Sequence, residues 1–413
     1  MSYKKNFKVG FYGMSHLGLV YSAAAICKGI DVLCFDDDKK LIKKLSDNIF
    51  SIYEPGLKNI FKNKKNIFCS DLKKIKNCKI VFYSLDAPTN NKNKTNLIKI
   101  KKKIIKLLNI LAPKTFFILL TQVEPGFTRH LPWPNNRKFY QVETLVFGKA
   151  IKRAINPERI IIGSDKSTKN LIISNFYKNF TNNIVNTNYE TAELIKISIN
   201  LILISSLTMA NAISEFKFKQ TIIKKDLLNA LRLDKRIGKK AYISPGLGIS
   251  GGNLERDLEA AINLSSQTDN KFLIKSFFQT IKKISNYRKN WILRNLSSIK
   301  KIKNVCLLGL SYKENTSSTK NSVALDLVQK LKNINFRGYD PKAKLSNKYK
   351  NLKRFNNPYE ACKNSDIMII STPWKEFENL KILKIKKLLN KKIILDPFGR
   401  INSKLKKIKI ISL

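Results

Sequence analysis

The chain has 413 residues, of which 43% are hydrophobic, so it is long enough for two or three domains with ordinary cores. Its six cysteines are scattered without a Cys-x-x-Cys pair, and it contains two histidines, His16 and His130. This composition argues against a disulfide framework and against a zinc or multi-histidine site. We therefore expect no metal and a reducing, cytoplasmic location.

A net charge of +50 suggests nucleic acid as a partner, because basic surfaces attract phosphate. The lysines are, however, spread along the whole chain, as Lys39, Lys102, Lys283 and Lys386 illustrate, and they are not clustered with interleaved aromatic residues. Enrichment in Lys, Ile and Asn is more typical of compositional drift in an AT-biased genome. Binding of nucleic acid is therefore the weaker interpretation of the charge.

The first 35 residues follow the order strand, turn, helix, strand. Residues 7–12 form an apolar run that ends at a glycine, residues 17–27 are Ala-rich, and residues 31–35 form a second apolar run. This order predicts a βαβ unit. Further strand-like runs at 79–85 and 115–121, with lysine-rich helical stretches between them, favour a parallel sheet covered by helices on both faces.

A long helix is predicted from residue 190 to about residue 218, because its apolar residues recur at three- and four-residue steps. Its uncharged part, residues 197–213, is shorter than the roughly 20 residues of a membrane span. It also contains Asn200 and Asn211, so we expect a buried helix without a membrane role.

Helical character continues over residues 254–296, and strands are predicted at 304–309, 335–339, 366–371 and 392–395. The predicted fold class is α/β. It consists of two Rossmann-like domains with parallel sheets, joined by a long central helix and a helical middle domain. We place the domains at residues 1–188, 189–298 and 299–413.

Residues 13–18, Gly-Met-Ser-His-Leu-Gly, lie where a dinucleotide-binding loop belongs, between a strand and a helix. Gly13 permits the tight turn, Gly18 permits close packing of helix and strand, and Ser15 takes the place of the middle glycine. Asp36 ends the second strand, where it can bind a ribose 2′-hydroxyl, and an acid there favours NAD over NADP. The alternative is an ordinary turn followed by a solvated acid.

Several segments, in order along the chain, resemble the UDP-glucose/GDP-mannose dehydrogenase family. The E-P-G-L stretch of that family resembles Glu54-Pro55-Gly56-Leu57, and its E-x-x-K-x-x-x-N helix resembles residues 193–200. The other similar segments are residues 156–160, 236–248, 309–316, 339–341 and 371–374. The resemblance implies an NAD-binding domain, a central helical dimerisation domain and a C-terminal domain that binds the nucleotide sugar.

The family oxidises a sugar C6 alcohol to a carboxylate with two NAD molecules, and a cysteine holds the intermediate aldehyde as a thiohemiacetal. The family pattern P-G-x-G-x-G-G-x-C-x-P-K-D aligns with residues 245–257, which places Asn253 at the cysteine position. A carboxamide nitrogen is not basic and cannot replace a thiolate as a covalent catalyst. Cys306 or Cys69 could approach the site in space.

Other positions also depart from the family pattern. Gln122 replaces a threonine that helps to organise the catalytic water, and Phe147 replaces the second acid of E-x-x-x-E-G, whose first acid is kept as Glu143. Residues 317–322, Ser-Ser-Thr-Lys-Asn-Ser, replace the D-D-x-R-E-S run near the cofactor. These changes affect the reacting centre more than the scaffold.

The resemblance also implies roles for individual residues. Lys196 and Asp257 would hold and activate a water or the substrate hydroxyl, with Asn200 orienting it. Two further residues complete the catalytic set, Asn253 and Glu143. The implied cofactor contacts are Gly13, Ser15, Gly18, Asp36, Arg256 and Lys320. The implied substrate contacts are Arg236, Tyr242, Gly246, Gly248 and Lys313.

Each of these charged residues also has an ordinary interpretation. Lys196 could be a helix-surface lysine, Asp257 a charge at a helix start, and Arg236 and Lys313 solvated surface charges. In the family the arginine at position 236 reaches into the site of the neighbouring subunit, which implies a homodimer built on the central helix.

Two functions of different classes remain open. The first is NAD-dependent oxidation of a nucleotide-diphosphate sugar for polysaccharide synthesis, either stopping after two electrons or oxidising the aldehyde hydrate without covalent capture. The second is a non-catalytic homologue that binds NAD and a nucleotide sugar.

Overall fold

The computed structural model describes residues 7–87, 90, 95–166, 170–216, 222–343, 349–401 and 408–413. The chain divides into two compact units, Met1–Ile199 and Asn200–Leu413. The boundary lies within one long helix, Tyr189–Ile213.

Within the described residues, the first unit contains an eight-stranded sheet in the order β3-β2-β1-β4-β5-β6-β7-β8. Neighbouring strands are parallel except β6 and β7, which pair antiparallel. The strands are β1 (Val9–Tyr12), β2 (Val32–Phe35), β3 (Phe68–Cys69), β4 (Ile80–Tyr83), β5 (Phe116–Leu119), β6 (Lys138–Gln141), β7 (Ile160–Ser164) and β8 (Ile184–Asn188). The helices are α1 (His16–Cys27), α2 (Lys39–Ser46), α3 (Leu57–Phe61), α4 (Leu97–Leu108), α5 (Ala150–Ile155), α6 (Leu171–Tyr177) and α7 (Tyr189–Ile213).

All residues of β1, β2 and β4 are buried, as expected for parallel strands with helices on both faces. On one face Phe11 and Phe82 stack and pack with Val20 of α1, and on the other face Tyr12 and Tyr83 pack with Ile104 of α4. The predicted parallel sheet with helices on both faces is therefore confirmed.

The strand order reverses between β1 and β4. From β1 the chain moves outward to β2 and β3, and it then crosses back to β4 on the other side of β1. Ligands of open α/β sheets bind at such a point, outside the carboxyl ends of the strands. Gly13 directly follows β1, and Ser84 directly follows β4.

The second unit begins within α7 and continues through four helices to a six-stranded sheet, as far as the described residues show. The helices are α8 (Lys224–Leu233), α9 (Gly252–Leu264), α10 (Lys271–Lys289) and α11 (Trp291–Ser297). The sheet is parallel throughout, in the order β11-β10-β9-β12-β13-β14. Its strands are β9 (Asn304–Leu308), β10 (Asn335–Tyr339), β11 (Leu352–Arg354), β12 (Ser365–Ile370), β13 (Leu389–Leu395) and β14 (Lys409–Ile411). The helices between them are α12 (Val323–Lys330), α13 (Pro358–Cys362) and α14 (Ile382–Leu388).

The predicted α/β class with two Rossmann-like domains and a helical middle is confirmed, and the details differ at element ends. The helical stretch expected over 254–296 is three helices, because Asn270 begins α10 as a side-chain cap and Asn290 ends it. The central helix ends at Ile213, and the predicted end near residue 218 lies outside the described residues. Strands β6 and β8 were not predicted, and neither were the short strands β3, β11 and β14, whose runs of two or three residues show no periodicity.

Helix α7 is the one helix of the described residues whose length and composition would allow it to cross a membrane. One face of its second half is buried, where Ile204 and Leu207 pack against Ile249 and Leu258. The opposite face is exposed, with 69% of Ile202 accessible. The expectation of a buried helix therefore holds for one face.

The close approach of α1 to β1 depends on Gly18. A Cβ atom at this position would overlap the carbonyl oxygen of Gly13 and lie 2.9 Å from Ser84 Oγ. Because the obstructing oxygen belongs to the backbone, Gly18→Ala should lower the free energy of unfolding by about 3 kcal/mol. Urea denaturation checks this. Ser22→Ala, which removes a buried hydroxyl of the same helix without adding volume, is the control. A Gly18→Ala variant as stable as the wild type would contradict the close packing.

Candidate active site

The glycine loop after β1 is fixed by backbone geometry and by Ser15. Gly13 has φ +102°, which favours glycine, and a Cβ there would lie 2.9 Å from the backbone nitrogen of Leu85. The Ser15 hydroxyl donates to the carbonyl oxygen of Ser84 at 2.7 Å and accepts from the amide of Asp86 at 3.1 Å. The Ser15 side chain does not cap α1, so the amides of the first helical turn can donate hydrogen bonds to an anion such as a pyrophosphate.

Asp36 connects this loop to the end of β2. Its Oδ2 accepts from the amide of Met14 at 2.7 Å, its Oδ1 accepts from the amide of Asp38 at 2.9 Å, and the residue is 9% exposed. Each carboxylate oxygen can accept a second hydrogen bond, so the interactions in the protein leave room for a ribose hydroxyl. The loop and the acid therefore fit a dinucleotide.

Lys196 of α7 and Glu143, just after β6, form a buried ion pair. Lys196 Nζ lies 2.8 Å from Glu143 Oε2, and the residues are 6% and 8% exposed. Burial raises the pKa of Glu143. The charge and hydrogen bond of Lys196 and the amide of Leu145 lower it by more, so that the net pKa is below the ordinary value. Lys196 is thus not a solvated surface lysine but the partner of a buried carboxylate.

In the second unit, Asp257 is the centre of another buried polar cluster. It is fully buried in α9, Arg256 Nε donates to its Oδ1 at 3.0 Å, and Asn200 Nδ2 donates to its Oδ2. A buried carboxylate needs such donors, and an acid at a helix start would not have to be buried. Lys196 and Asn200 lie four residues apart on α7 and therefore share one face of that helix.

The glycine-rich segment before α9 is held by side chains of α7 and α10. The Asn211 side chain accepts from the amide of Gly246 at 2.9 Å, and Arg288 Nε donates to the carbonyl oxygen of Gly246 at 3.1 Å. Ser285 Oγ accepts from the amide of Ile249 at 2.8 Å. At Gly248, φ is +82° and a Cβ would lie 3.0 Å from Ser285 Oγ, so the segment requires glycine there.

Asn253 lies in the first turn of α9, directly after this segment, and its side chain is exposed. The loop after β9 packs against the same turn. A Cβ at Gly251 would lie 2.6 Å from the ring of Tyr312, and one at Gly252 would lie 2.9 Å from the side chain of Lys320. The structure thus brings Lys320 to the helix start that carries Asn253 and Asp257.

The motifs of the last domain converge on Asp340, which is 1% exposed. Its Oδ2 accepts from the amides of Leu310 and Ser311 at 2.7 and 2.9 Å and from Trp374 Nε1 at 3.2 Å. Its Oδ1 accepts from the amides of Lys342 and Ala343 at 2.8 and 2.7 Å. One carboxylate therefore organises three segments that the sequence presents far apart.

Two predicted substrate residues lie on the surface of the second unit. The Arg236 side chain is 89% exposed and pairs with Asp234 at 2.7 Å, and Tyr242 is 47% exposed. Lys313 lies with its Nζ 5.7 Å from the ring centre of Tyr312. Tyr312 packs against the start of α9, so Lys313 lies in the loop next to that helix. Arg236 pairs instead with Asp234.

Neither cysteine considered as a substitute thiol is placed to serve as one. Cys306 is fully buried in the core of the second sheet, with its Sγ 3.5 Å from Cys362 Sγ, and burial raises its pKa well above the ordinary value. Cys69 is 8% exposed, and burial raises its pKa as well. A nucleophilic thiol needs access and a low pKa.

Sequence reasoning missed two buried acids. Glu54 is 4% exposed and accepts from the amide of Gly148 at 2.9 and 3.1 Å, and Glu193 is fully buried and accepts from the amides of Gly126 and Thr128 at 2.6 and 2.8 Å. Both stand inside segments that carry the family resemblance, which was the available signal. Their partners are amides of distant loops, which a sequence does not reveal.

Three models of one protein family match the chain in order. The NAD binding domain of the UDP-glucose/GDP-mannose dehydrogenase family matches residues 7–181, its central domain residues 190–286 and its UDP binding domain residues 306–403. The chain is also 26% identical over 415 residues to a UDP-glucose 6-dehydrogenase of Rickettsia typhi, with 94% of each chain covered. It is 26% identical over 413 residues to UDP-glucose 6-dehydrogenase TuaD of Bacillus subtilis, with 94% of this chain and 88% of that protein covered.

Solved structures share the fold. A UDP-D-ManNAc dehydrogenase from Pyrococcus horikoshii superposes with a TM-score of 0.83 at 18% identity and covers 98% of both chains. A UDP-glucose dehydrogenase from Pyrobaculum islandicum superposes with a TM-score of 0.81 at 20% identity, covering 92% of this chain and 94% of that one. At these identities the likeness concerns the fold alone.

The dinucleotide loop, the second Rossmann-like domain and the matched domain models define an NAD-dependent oxidoreductase that acts on a CH–OH group of a nucleotide sugar. The chain belongs to the UDP-glucose/GDP-mannose dehydrogenase family, whose three domain models match it in order over most of its length. The family resemblance of the sequence motifs and the expectation of NAD as cofactor are thereby confirmed.

The buried pair yields a prediction for stability. Lys196→Met leaves Glu143 buried without its partner and should lower the free energy of unfolding by about 3–5 kcal/mol at neutral pH, and Lys196→Met/Glu143→Gln should regain most of it. The folded-state pKa of Glu143 is lowered, so its contribution is present above the ordinary value of 4.5 and is lost as the pH falls through the folded value. The difference between wild type and Lys196→Met should therefore shrink in acid.

Denaturation at several pH values measures both effects. Lys330→Met is the matched control, because it breaks an exposed ion pair with Asp326 and should cost at most about 0.5 kcal/mol. Equal losses for Lys196→Met and Lys330→Met would refute the buried pair.

Proposed function

We propose that this chain oxidises the C6 alcohol of UDP-glucose or a closely similar nucleotide-diphosphate sugar with NAD, in the supply of polysaccharide precursors. The main support is the pair of buried polar clusters, Glu143 with Lys196 and Asp257 with Asn200. Burying three charged groups, Glu143, Lys196 and Asp257, is unfavourable. Clusters of buried ionisable groups are typical of catalytic sites. The UDP-glucose 6-dehydrogenases among the relatives support the choice of sugar.

In this proposal the residues of the chain assist the removal of the proton from the sugar hydroxyl. The alcohol loses a hydride and a proton to become an aldehyde, and bound NAD supplies the hydride acceptor. Asp257 and Lys196 assist removal of the hydroxyl proton. Glu143 pairs with Lys196 and holds its ammonium group in place, where it stabilises negative charge on the sugar oxygen. Asn200 orients Asp257 through its amide hydrogen bond.

The cofactor and substrate contacts are proposed on the same basis. Gly13, Ser15, Gly18 and Asp36 would hold the dinucleotide, with Arg256 and Lys320 as charged contacts. The nucleotide sugar would contact Tyr242, Gly246, Gly248, Lys313 and Arg236. The division into domains at 1–188, 189–298 and 299–413 is part of the proposal, as is a cytoplasmic location, which the free state of all six cysteines supports.

We further propose that the reaction stops after two electrons. The exposed first-turn position of α9 carries Asn253, whose carboxamide cannot form a thiohemiacetal, and both candidate cysteines are buried. The aldehyde would then leave the site as the product. A chain that only binds both ligands is the alternative, and the retained buried clusters weigh against it.

Counting NADH per sugar consumed tests this proposal. With a panel of nucleotide sugars, the wild type should form one NADH per sugar, and Asn253→Cys should approach two, because a thiol at the helix start can capture the aldehyde. Asn263→Cys, at an exposed position of the same helix, is the matched control and should remain at one. Two NADH per sugar in the wild type would refute the two-electron version. Binding of NAD and UDP-glucose in a calorimeter without any turnover would refute catalysis.

A homodimer is the proposed assembly. The helices of the second unit expose many large apolar side chains. Single exposed apolar residues are ordinary, but many of them together are typical of an interaction surface. They include Ile202 and Met209 of α7, Leu233 of α8 and Phe272 of α10, which are 69%, 62%, 73% and 85% exposed. Arg236, whose side chain is 89% exposed, lies on the surface where a neighbouring subunit could contact it.

Sedimentation tests the dimer. The wild type should sediment as a dimer, and Ile202→Glu/Met209→Glu should sediment as a monomer, because two carboxylates would be buried in the interface. Leu383→Glu, at a 60% exposed position of α14, should leave the dimer intact. A wild-type monomer at micromolar concentration would contradict the assembly.

A further inference from the structure

The first residue of α1, His16, belongs to the glycine loop but has no assigned role. It is 6% exposed, although histidine at a helix start is usually solvated, and its Nε2 lies 2.9 Å from Oε1 of Glu54. Because a carboxylate only accepts hydrogen bonds, Nε2 is the donor. The dinucleotide loop is therefore attached, through one imidazole, to a buried acid.

Glu54 in turn holds a second segment. Its two oxygens accept from the amide of Gly148 at 2.9 and 3.1 Å, and Oε2 lies 3.4 Å from the amide of Ala150, the first residue of α5. The side chain of the first residue of α1 and the amide of the first residue of α5 thus meet on one carboxylate. Glu143, the partner of Lys196, lies five residues before Gly148 in the same segment.

Phe147 closes the arrangement. Its ring lies on the imidazole of His16, with centres 4.1 Å apart and planes at 24°. The neighbouring residue, Gly148, donates to Glu54, so an acid at position 147 would lie beside the buried carboxylate of Glu54. The imidazole of His16 already donates its Nε2 hydrogen to Glu54 and would not offer that hydrogen to the new acid. The loss of the family acid at 147 and the histidine at 16 are therefore parts of one packing arrangement.

We propose that His16 is a positioning residue, which acts through Glu54 and Phe147 to hold residues 143–150, and with them Glu143, against the cofactor loop. This inference rests on the proposed function, since Glu143 is taken to support Lys196 in the reaction. The imidazole contributes a hydrogen-bond donor and a flat face for Phe147, and it does not contact the sugar. Through these contacts, His16 fixes the position of Glu143 relative to the dinucleotide loop.

Four variants test the role. His16→Leu removes the donor and the aromatic face, His16→Gln keeps a donor, Phe147→Leu removes the stacked ring, and Phe147→Glu restores the family acid. His130→Gln is the control, since His130 is exposed and its Nδ1 hydrogen-bonds the carbonyl oxygen of Gly126. For each variant, kcat and KM are measured with UDP-glucose and NAD, the Kd for NAD is measured by calorimetry, and amide exchange is followed in the peptide covering 143–150.

His16→Leu should lower kcat about tenfold with an unchanged Kd for NAD, and it should speed amide exchange at Gly148 and Ala150. His16→Gln should restore much of kcat. Phe147→Glu should lower kcat rather than raise it, because it crowds Glu54 with a second buried carboxylate. His130→Gln should match the wild type.

Three results would overturn the role. A weaker Kd for NAD with unchanged kcat in His16→Leu would make His16 a cofactor contact, and wild-type exchange over 143–150 would show that it holds nothing. A gain of activity in Phe147→Glu would also count against it. If the wild type turns over no nucleotide sugar, the proposed function fails, and the exchange measurement still decides whether His16 holds the segment.

Discussion

Buried carboxylates that accept backbone amides organise both units of this protein. A carboxylate removed from water must find donors inside the protein, and loop amides without a partner need an acceptor, so each stabilises the other. The chain has only 29 acidic residues against 79 basic ones, yet eight acids are buried among the described residues, and all of these except Asp257 accept backbone amides. They are Asp36, Glu54, Glu143, Glu193, Asp257, Asp340, Asp366 and Asp396.

The two sheets use the same arrangement at their first loop. Gly13 and Gly309 follow the first strand of each sheet with φ of +102° and +96°, and their amides donate to Phe35 and Tyr339 at 2.8 and 2.7 Å. Ser84 and Ser371, after the strand on the other side, donate to the carbonyl oxygens of these glycines at 3.0 and 2.6 Å. The two Rossmann-like domains therefore share a local design that the sequence motifs do not reveal.

The acid after the second strand distinguishes the two loops. Asp36 accepts one amide on each oxygen, which leaves it able to accept a ribose hydroxyl. Asp340 also receives Ser311 Oγ at 2.9 Å and the Trp374 indole, so its oxygens are saturated by the protein. The same scaffold thus offers a hydroxyl acceptor in the first domain and a closed structural centre in the second. This difference fits a dinucleotide in the first domain and a different nucleotide in the second.

Sequence alone determined the class of fold, the long central helix, the glycine loop with Asp36 and the family. These features depend on local periodicity, on glycine at tight turns and on ordered motifs, all of which are properties of neighbouring residues. It also predicts that Asn253 departs from the family pattern, because that position is found by counting within a motif. The element ends and the shortest strands escaped it, since they depend on caps such as Asn270 and on pairing with strands far along the chain.

Only the tertiary structure decided which charges are buried and with what partners. Lys196, Asp257 and Arg236 read alike in a sequence with so many charges, but the first two are buried in polar clusters and the third is exposed. The structure also excluded Cys306 and Cys69 as replacement thiols and joined His16 to Glu54 and Phe147. The physical reason is that burial and partnership arise when segments separated by tens of residues meet, and no local pattern records that meeting.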